Sequence, residues 1–204
     1  MNVIIKPELK LVPFENIETE RLLLRRFTPD DAQVMFDTWA SDPDVTRYMT
    51  WLPHPDTNET RDIIEKWMKR YETCATELCE VNYAITIKVR HIYPRVHGKL
   101  IGSIGLVPRE RNASVEIGYC TGKAFWGHGY VTEAARALVT LAFDRMNAQK
   151  VIAFHHPENA ASGRVMQKCG MKREGILRKD FFAPALGMCD AVTYSILREE
   201  YYSS

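Results

Sequence analysis

The sequence predicts a mixed α/β domain, with strands and helices packed around one central sheet, and three observations carry that reading. Segments with the two-residue alternation of strands occur near both ends and in the middle of the chain, separated by stretches with the 3.6-residue periodicity of amphipathic helices. The order strand, helix, strand over 113–156 is that of a parallel crossover unit. A chain of 204 residues also suits a single hydrophobic core, which stays efficient up to about 250 residues, so residues 1–204 are read as one domain.

From the N-terminus, IETERLLLRRF (17–27) reads as an amphipathic strand, and Pro29 and Asp30 open a short helix over DDAQVMFDTWA. SDPD at 41–44 is turn chemistry. Starting at Thr57, TNETRDIIEKWMKRYE sets Ile63, Ile64, Trp67, Met68 and Tyr71 on one helical face. VNYAITIKV (81–89) and KLIGSIGLV (99–107) are strands whose connection, RHIYPRVHG, is long for a hairpin. Lys88, Arg90, Arg95 and Lys99 make that connection basic, which reads as a solvated loop, or alternatively as a rim for a phosphate or an acidic partner.

ASVEIGYCT (113–121) is a further central strand, and FWGHGYVTEAARALVTLAF (125–143) supplies a helix with Val131, Ala134, Ala135, Leu138, Val139, Ala142 and Phe143 on one face. KVIAFHH (150–156) follows as a strand, Asn159 opens the short helix NAASGRVMQKC, and Gly170 stops it. MKREGILRKDF and DAVTYSILREE close the chain as strands.

Bulk properties exclude several classes of function. With 27 Lys and Arg against 26 Asp and Glu, no global field favours nucleic acid, so an anion site must be local. No apolar run approaches the about 20 residues that span a bilayer, and MNVIIKPELK lacks the pattern of a signal peptide. An intracellular, cytoplasmic protein is expected. Cys74, Cys79, Cys120, Cys169 and Cys189 are odd in number in a chain able to build its own core, which predicts reduced thiols, and the Cys74/Cys79 pair lacks the partners of a zinc set.

The glycine turn before the long helix carries the chemistry. GYCTGKA (118–124) fails as a nucleotide-binding P-loop because only three residues separate Gly118 from Gly122 and Ala124 stands where a magnesium-binding hydroxyl is needed. A dinucleotide fingerprint fails as well, since Thr132 stands where a third glycine would follow Gly127 and Gly129. What remains is a strand, a glycine turn and a helix N-terminus whose unpartnered N–H groups suit a pyrophosphate.

ETERLLLRRF, VEIGYCTGKAFWGHGYVTEA, HPENAASGRVMQKCGMKREGILR and DAVTYSIL, in that order over about residues 17–200, resemble the GNAT acetyltransferase superfamily, and within it the Rim-type branch of ribosomal-protein N-terminal acetyltransferases. The resemblance implies a twisted sheet of about seven mostly antiparallel strands with one splayed parallel pair, flanked by helices. It implies acetyl-CoA as cosubstrate and no metal. Trp126, Gly127, His128, Gly129, Tyr130, Val131 and Thr132 would surround its pyrophosphate, although Trp126 and Val131 stand where the general pattern has Gln or Arg and Gly or Ala. Main-chain groups near Tyr119, Cys120 and Thr121 would pair with pantetheine, and Asn159 and Ser162 would reach pantetheine and thiol.

Acetyl transfer to an amine needs a base for the amine proton and an acid for the departing sulfur. Glu116, on the face of its strand opposite Val115 and Ile117, is the candidate base, or else a surface carboxylate. Ser162 is the candidate acid, with Tyr194 as the alternative, and Cys120 and Cys169 are not expected to act as nucleophiles. His155 and His156 are adjacent in a strand, so they face opposite sides and make poor paired metal ligands. Tyr48, Trp51 and His54 offer acceptor contacts, with inter-helix packing as the alternative for Tyr48 and Trp51. The acceptor reads as a protein N-terminus or a small-molecule amine, a homodimer is left open, and the competing reading is a catalytically silent acyl-CoA-binding regulatory module.

Overall fold

A computed structural model describes residues 6–88 and 98–203. The chain forms strands β1 (Ile17–Glu18) and β2 (Leu22–Arg25), helices α1 (Asp31–Met35), α2 (Pro43–Thr46) and α3 (Thr57–Thr73), and strands β3 (Val81–Ile87), β4 (Lys99–Arg109) and β5 (Ser114–Thr121). Helix α4 (Tyr130–Asp144), strand β6 (Lys150–His155), helix α5 (Ala160–Lys168), strands β7 (Lys172–Ala183) and β8 (Gly187–Leu197) and helix α6 (Arg198–Tyr202) follow. The strands form one eight-stranded sheet in the order β1-β2-β3-β4-β5-β6-β8-β7. Only β5 and β6 run parallel, joined through α4 as the crossover order predicts. All other neighbours are antiparallel.

Alternation along the strands divides the core between the two faces of the sheet. Leu22, Leu24, Ile85, Ile101, Val115 and Ile117 pack with Ala134, Leu138, Val139 and Phe143 of α4, while Ala84 and Leu100 face the other way and pack with Phe27, Met35, Trp39 and Ile64. Helix α3 has the predicted apolar face and is capped by Asp56, whose carboxylate accepts from the N–H groups of Asn58 and Glu59 at 2.8 and 3.1 Å.

Three expectations are corrected. The segment 17–27 is two strands rather than one, because the Thr19 hydroxyl accepts from the Leu22 N–H at 3.0 Å and turns the chain into a short hairpin, the first pair of the eight-stranded sheet. The first helix does not continue to Ala40 as an α-helix but widens into a π turn over Phe36–Ala40. Cys74 and Cys79 are joined in a disulfide, with Cα atoms 5.4 Å apart, where reduced thiols were expected. The turn after α3 brings these two residues together locally, so the odd total of cysteines says nothing about this pair. Cys120, Cys169 and Cys189 are free. The reading of a basic connection falls on residues 89–97, outside the described residues. At its margins, Lys88 pairs with Glu18 at 3.5 Å and the Lys99 ammonium lies 5.1 Å from the centre of the Phe125 ring.

A largely buried ion pair joins β2 to α1. Arg25 donates to both oxygens of Asp31 at 2.7 and 2.8 Å, and the Thr28 N–H donates to the same carboxylate at 2.8 Å. Burial alone would raise the Asp31 pKa, but the Arg25 and Thr28 donors outweigh it and hold the carboxyl below its ordinary value. Asp31→Asn strands the Arg25 charge, so urea unfolding at pH 7 is expected to show a loss of about 3 kcal/mol. The wild-type advantage is complete above the ordinary value of 3.8 and disappears as pH falls through the lower native one, so the two proteins converge only in acid.

Candidate acyl-transfer site

Strands β5 and β6 pair only over Ser114–Glu116 and Lys150–Ile152. Beyond that point β5 stays with β4 as far as Thr121 and β6 stays with β8 as far as His155, so the sheet opens into a wedge at their C-terminal ends. Such a wedge leaves main-chain groups of Ile117–Thr121 facing a gap instead of a neighbouring strand.

Side chains of β5 line the two sides of this opening according to parity. Val115, Ile117 and Tyr119 share one face, with Val115 and Ile117 in the α4 cluster. Tyr119 reaches α5, where its hydroxyl donates to the Ser162 carbonyl at 3.0 Å and accepts from the Ser162 hydroxyl at 3.1 Å. Burial pushes the Tyr119 phenol well above its ordinary pKa, so it stays protonated and holds this geometry. Asn159 caps α5 by accepting from the Ser162 N–H at 3.3 Å. The Ser162 proton is thus directed at Tyr119, and any role for it toward a sulfur begins by leaving that bond.

Glu116 occupies the opposite face, together with Gly118 and Cys120. Its carboxylate pairs with Arg109 at 2.7 Å and is about one-fifth exposed. Space above the next residue on that face is open, because a Cβ at Gly118 would meet nothing within 4 Å. Cys120 lies 3.3 Å from the Ser103 hydroxyl, and burial raises its thiol pKa. Burial pushes the Cys169 thiol up to about 11. Neither sulfur is a ready thiolate at neutral pH.

The glycine turn connects β5 to α4. Gly127 and Gly129 both have φ of 79°, a left-handed conformation that costs side-chain-bearing residues about 1 kcal/mol or more. Gly129 is the N-cap of α4 and no side chain caps that end, which leaves the first-turn N–H groups of Tyr130, Val131 and Thr132 facing out. Trp126 is fixed by a bond from its indole N–H to the Thr121 carbonyl at 3.0 Å. His128 bonds back to the Trp126 carbonyl at 2.9 Å and stacks on Tyr130 with ring centres 5.8 Å apart. Backbone donors, open space and an uncapped dipole fit a pyrophosphate.

On the acceptor side the residues separate. Tyr48 stacks on His156 at 4.8 Å and its hydroxyl donates to Glu158 at 3.3 Å, so it spans from the α2 end to the end of β6. A cleft of about 380 Å³ opens there, lined by Arg47, His156, Glu158, Lys179, Met188 and Asp190. Trp51 instead packs on the Phe27 and Trp39 cluster, with its ring 5.2 Å from that of His54. His54 is buried, bonds to Thr60 at 2.8 Å, and has its pKa lowered by burial. Tyr194 is buried and accepts from Gln167 at 3.4 Å. His155 is buried with its Nδ1 on the His156 carbonyl at 2.7 Å. Among the described residues no three metal-ligating side chains converge, and no helix is long and apolar enough to cross a membrane.

Sequence reasoning missed Arg109 as the partner of Glu116, the Tyr119 side chain, and the Arg21–Glu133 pair beside the glycine turn. Arg21 and Glu133 both lie in quoted motifs, but they are far apart in sequence and only the folded hairpin β1–β2 brings them together.

The family model for the acetyltransferase (GNAT) domain matches residues 21–172. The uncharacterized N-acetyltransferase p20 of Bacillus licheniformis is 31% identical over 188 residues, covering 92% of this chain and 98% of that protein. A solved GNAT-family acetyltransferase from Bacillus anthracis superposes with a TM-score of 0.75 at 29% identity, covering 91% of this chain and 99% of that one. RimL, a ribosomal L7/L12 alpha-N-protein acetyltransferase solved with coenzyme A, shares the fold with a TM-score of 0.74 at 17% identity, covering 90% of this chain and 98% of that one. The sheet with its single splayed parallel pair, the uncapped helix behind a left-handed glycine turn and these matches lead to one conclusion: the chain belongs to the GNAT acetyltransferase family, and it is an N-acetyltransferase.

Proposed function

We propose that the protein transfers an acetyl group from acetyl-CoA directly to a primary amine, either a protein N-terminus or a small molecule, in a ternary complex. The observation that carries this reading is the conjunction at one wedge of an uncapped helix N-terminus and two faces bearing Glu116 and Ser162. Acetyl-CoA, when bound, supplies an acetyl group activated as a thioester. Residues 126–132 would hold its pyrophosphate, mainly through backbone N–H groups, and Val131 narrows the approach without removing a donor. The main chain of Cys120 and Thr121 would pair with pantetheine, and Asn159 and Ser162 would lie along it.

Glu116 would take a proton from the acceptor amine onto a carboxylate oxygen, directly or through water, on the face of the sheet opposite Ser162. That separation lets the amine approach from one side and the thioester from the other. Ser162 Oγ would give a proton to the departing sulfur, after its hydroxyl leaves the bond to Tyr119. Tyr48 and the cleft beside it would form the wall an acceptor meets first. Turnover of acetyl-CoA with a panel of amines and N-terminal peptides, read as free thiol, tests the reading, and at least one acceptor is expected to release thiol in step with acetylated amine. The Arg109 bond to Glu116 favours one rival, a silent acyl-CoA-binding module, which predicts binding with no thiol release from any acceptor.

A further inference from the structure

The first turn of α4 contains a carboxylate where an anionic ligand would bind. Glu133 lies one turn into the helix whose N–H groups face the glycine loop, and its charge opposes any diphosphate there. The β1–β2 hairpin meets that charge with several donors. The Thr19 hydroxyl and the Arg21 N–H donate to Oε1 at 2.6 and 2.8 Å, and Arg21 Nε donates to Oε2 at 2.6 Å. The same guanidinium donates through Nη1 to the His128 carbonyl at 3.1 Å and lies 4.8 Å from the centre of the Tyr130 ring. Its Nη2 is 3.5 Å from where a Cβ on Gly129 would sit. One side chain therefore holds the Glu133 carboxylate and the carbonyl inside the turn at once, beside the helix-opening glycine. Burial alone would raise the Glu133 pKa, but the Thr19 and Arg21 donors keep it below its ordinary value, so the carboxylate is ionised at neutral pH and its charge needs a counterion.

We propose that Arg21 is a positioning residue for the diphosphate of the cosubstrate: it cancels the Glu133 charge at the α4 N-terminus and braces the His128–Gly129 turn so that the loop accepts a second anion. The inference rests on acetyl-CoA being the ligand of that loop. It makes Arg21 a determinant of the diphosphate part of the ligand and leaves the thioester part alone.

The test compares acetyl-CoA with acetyl-pantetheine, which carries the same thioester and no diphosphate, in wild type, Arg21→Met, Glu133→Gln and the double variant. Arg21→Met is expected to lower kcat/KM for acetyl-CoA by about fivefold at low ionic strength, and by less at high salt. Its kcat/KM for acetyl-pantetheine is expected to stay unchanged. Glu133→Gln, which removes the opposing charge while keeping an acceptor oxygen, is expected to bind acetyl-CoA at least as tightly as wild type. The double variant is expected to recover most of the loss of Arg21→Met. Equal losses with both thioesters, or a Glu133→Gln protein that binds acetyl-CoA more weakly than wild type, overturn the proposal and leave Arg21 a structural brace only. If Arg21→Met fails to fold, Glu133→Gln still decides. Wild-type protein that distinguishes neither thioester contradicts the assignment of the loop itself, a result separable from failure of the Arg21 role.

Discussion

Glu116→Gln is expected to lower kcat for acetyl transfer by about 100-fold or more, with acetyl-CoA affinity and thermal stability close to wild type. The size is that of removing the proposed base while keeping a side chain of the same shape. Stability is spared because the Glu116–Arg109 pair, with Arg109 half exposed, is a partly solvated contact worth about 1 kcal/mol or less. Affinity is spared because Glu116 lies on the face of β5 away from Tyr119 and Ser162, not on the glycine loop. Steady-state kinetics, calorimetry and thermal melts on one preparation separate these effects. Full activity in the glutamine variant would leave Glu116 as only a surface partner of Arg109.

Replacing both loop glycines, Gly127→Ala with Gly129→Ala, is expected to weaken acetyl-CoA about tenfold or more while the protein stays folded. A Cβ at Gly127 meets nothing within 4 Å, and one at Gly129 meets only Arg21 Nη2 at 3.5 Å, an ordinary contact. The cost is therefore conformational. Each alanine disfavours φ near 79° by about 1 kcal/mol, and relaxation of the turn moves the outward N–H groups away from a common ligand. Two such penalties make about 2 kcal/mol, more than the 1.4 kcal/mol that corresponds to tenfold in affinity. Gly175→Ala in β7, where a Cβ also meets nothing within 4 Å and φ is not positive, is the control and should bind normally. Calorimetry of the three proteins with acetyl-CoA checks the difference.

Periodic apolar patterning made the fold legible. Helix α4, helix α3 and the crossover from β5 to β6 follow from side-chain spacing, because burial on one face leaves a periodic trace in the sequence. Local chemistry without such a trace was missed. The Thr19 bond that divides the first strand into a hairpin, the widening of the helix at Phe36 and the bridging of Cys74 to Cys79 depend on turns, and turns leave no apolar period.

The candidate site was legible to the extent that it is local. Gly127 and Gly129 are adjacent to the helix they open, and Asn159 to the helix it caps, so each could be read from its own segment. Parity alone sets Glu116 on the face opposite Val115 and Ile117, but it does not reveal what the Tyr119 side chain reaches. Their partners Arg109 and Ser162, and the Arg21–Glu133 pair, come together only when hairpins and the parallel crossover set the register. Tyr48 and Trp51, three residues apart, part company for the same reason: one spans to His156 and Glu158 across the cleft, and the other closes the core around Phe27.

Titration of the wild-type protein with acetyl-CoA by isothermal calorimetry tests the central claim most directly, because it reads the ligand of the glycine loop without assuming an acceptor. Saturable one-to-one binding at micromolar concentrations is the predicted result, and absence of binding up to about 1 mM, the top of the usual KM range, contradicts it.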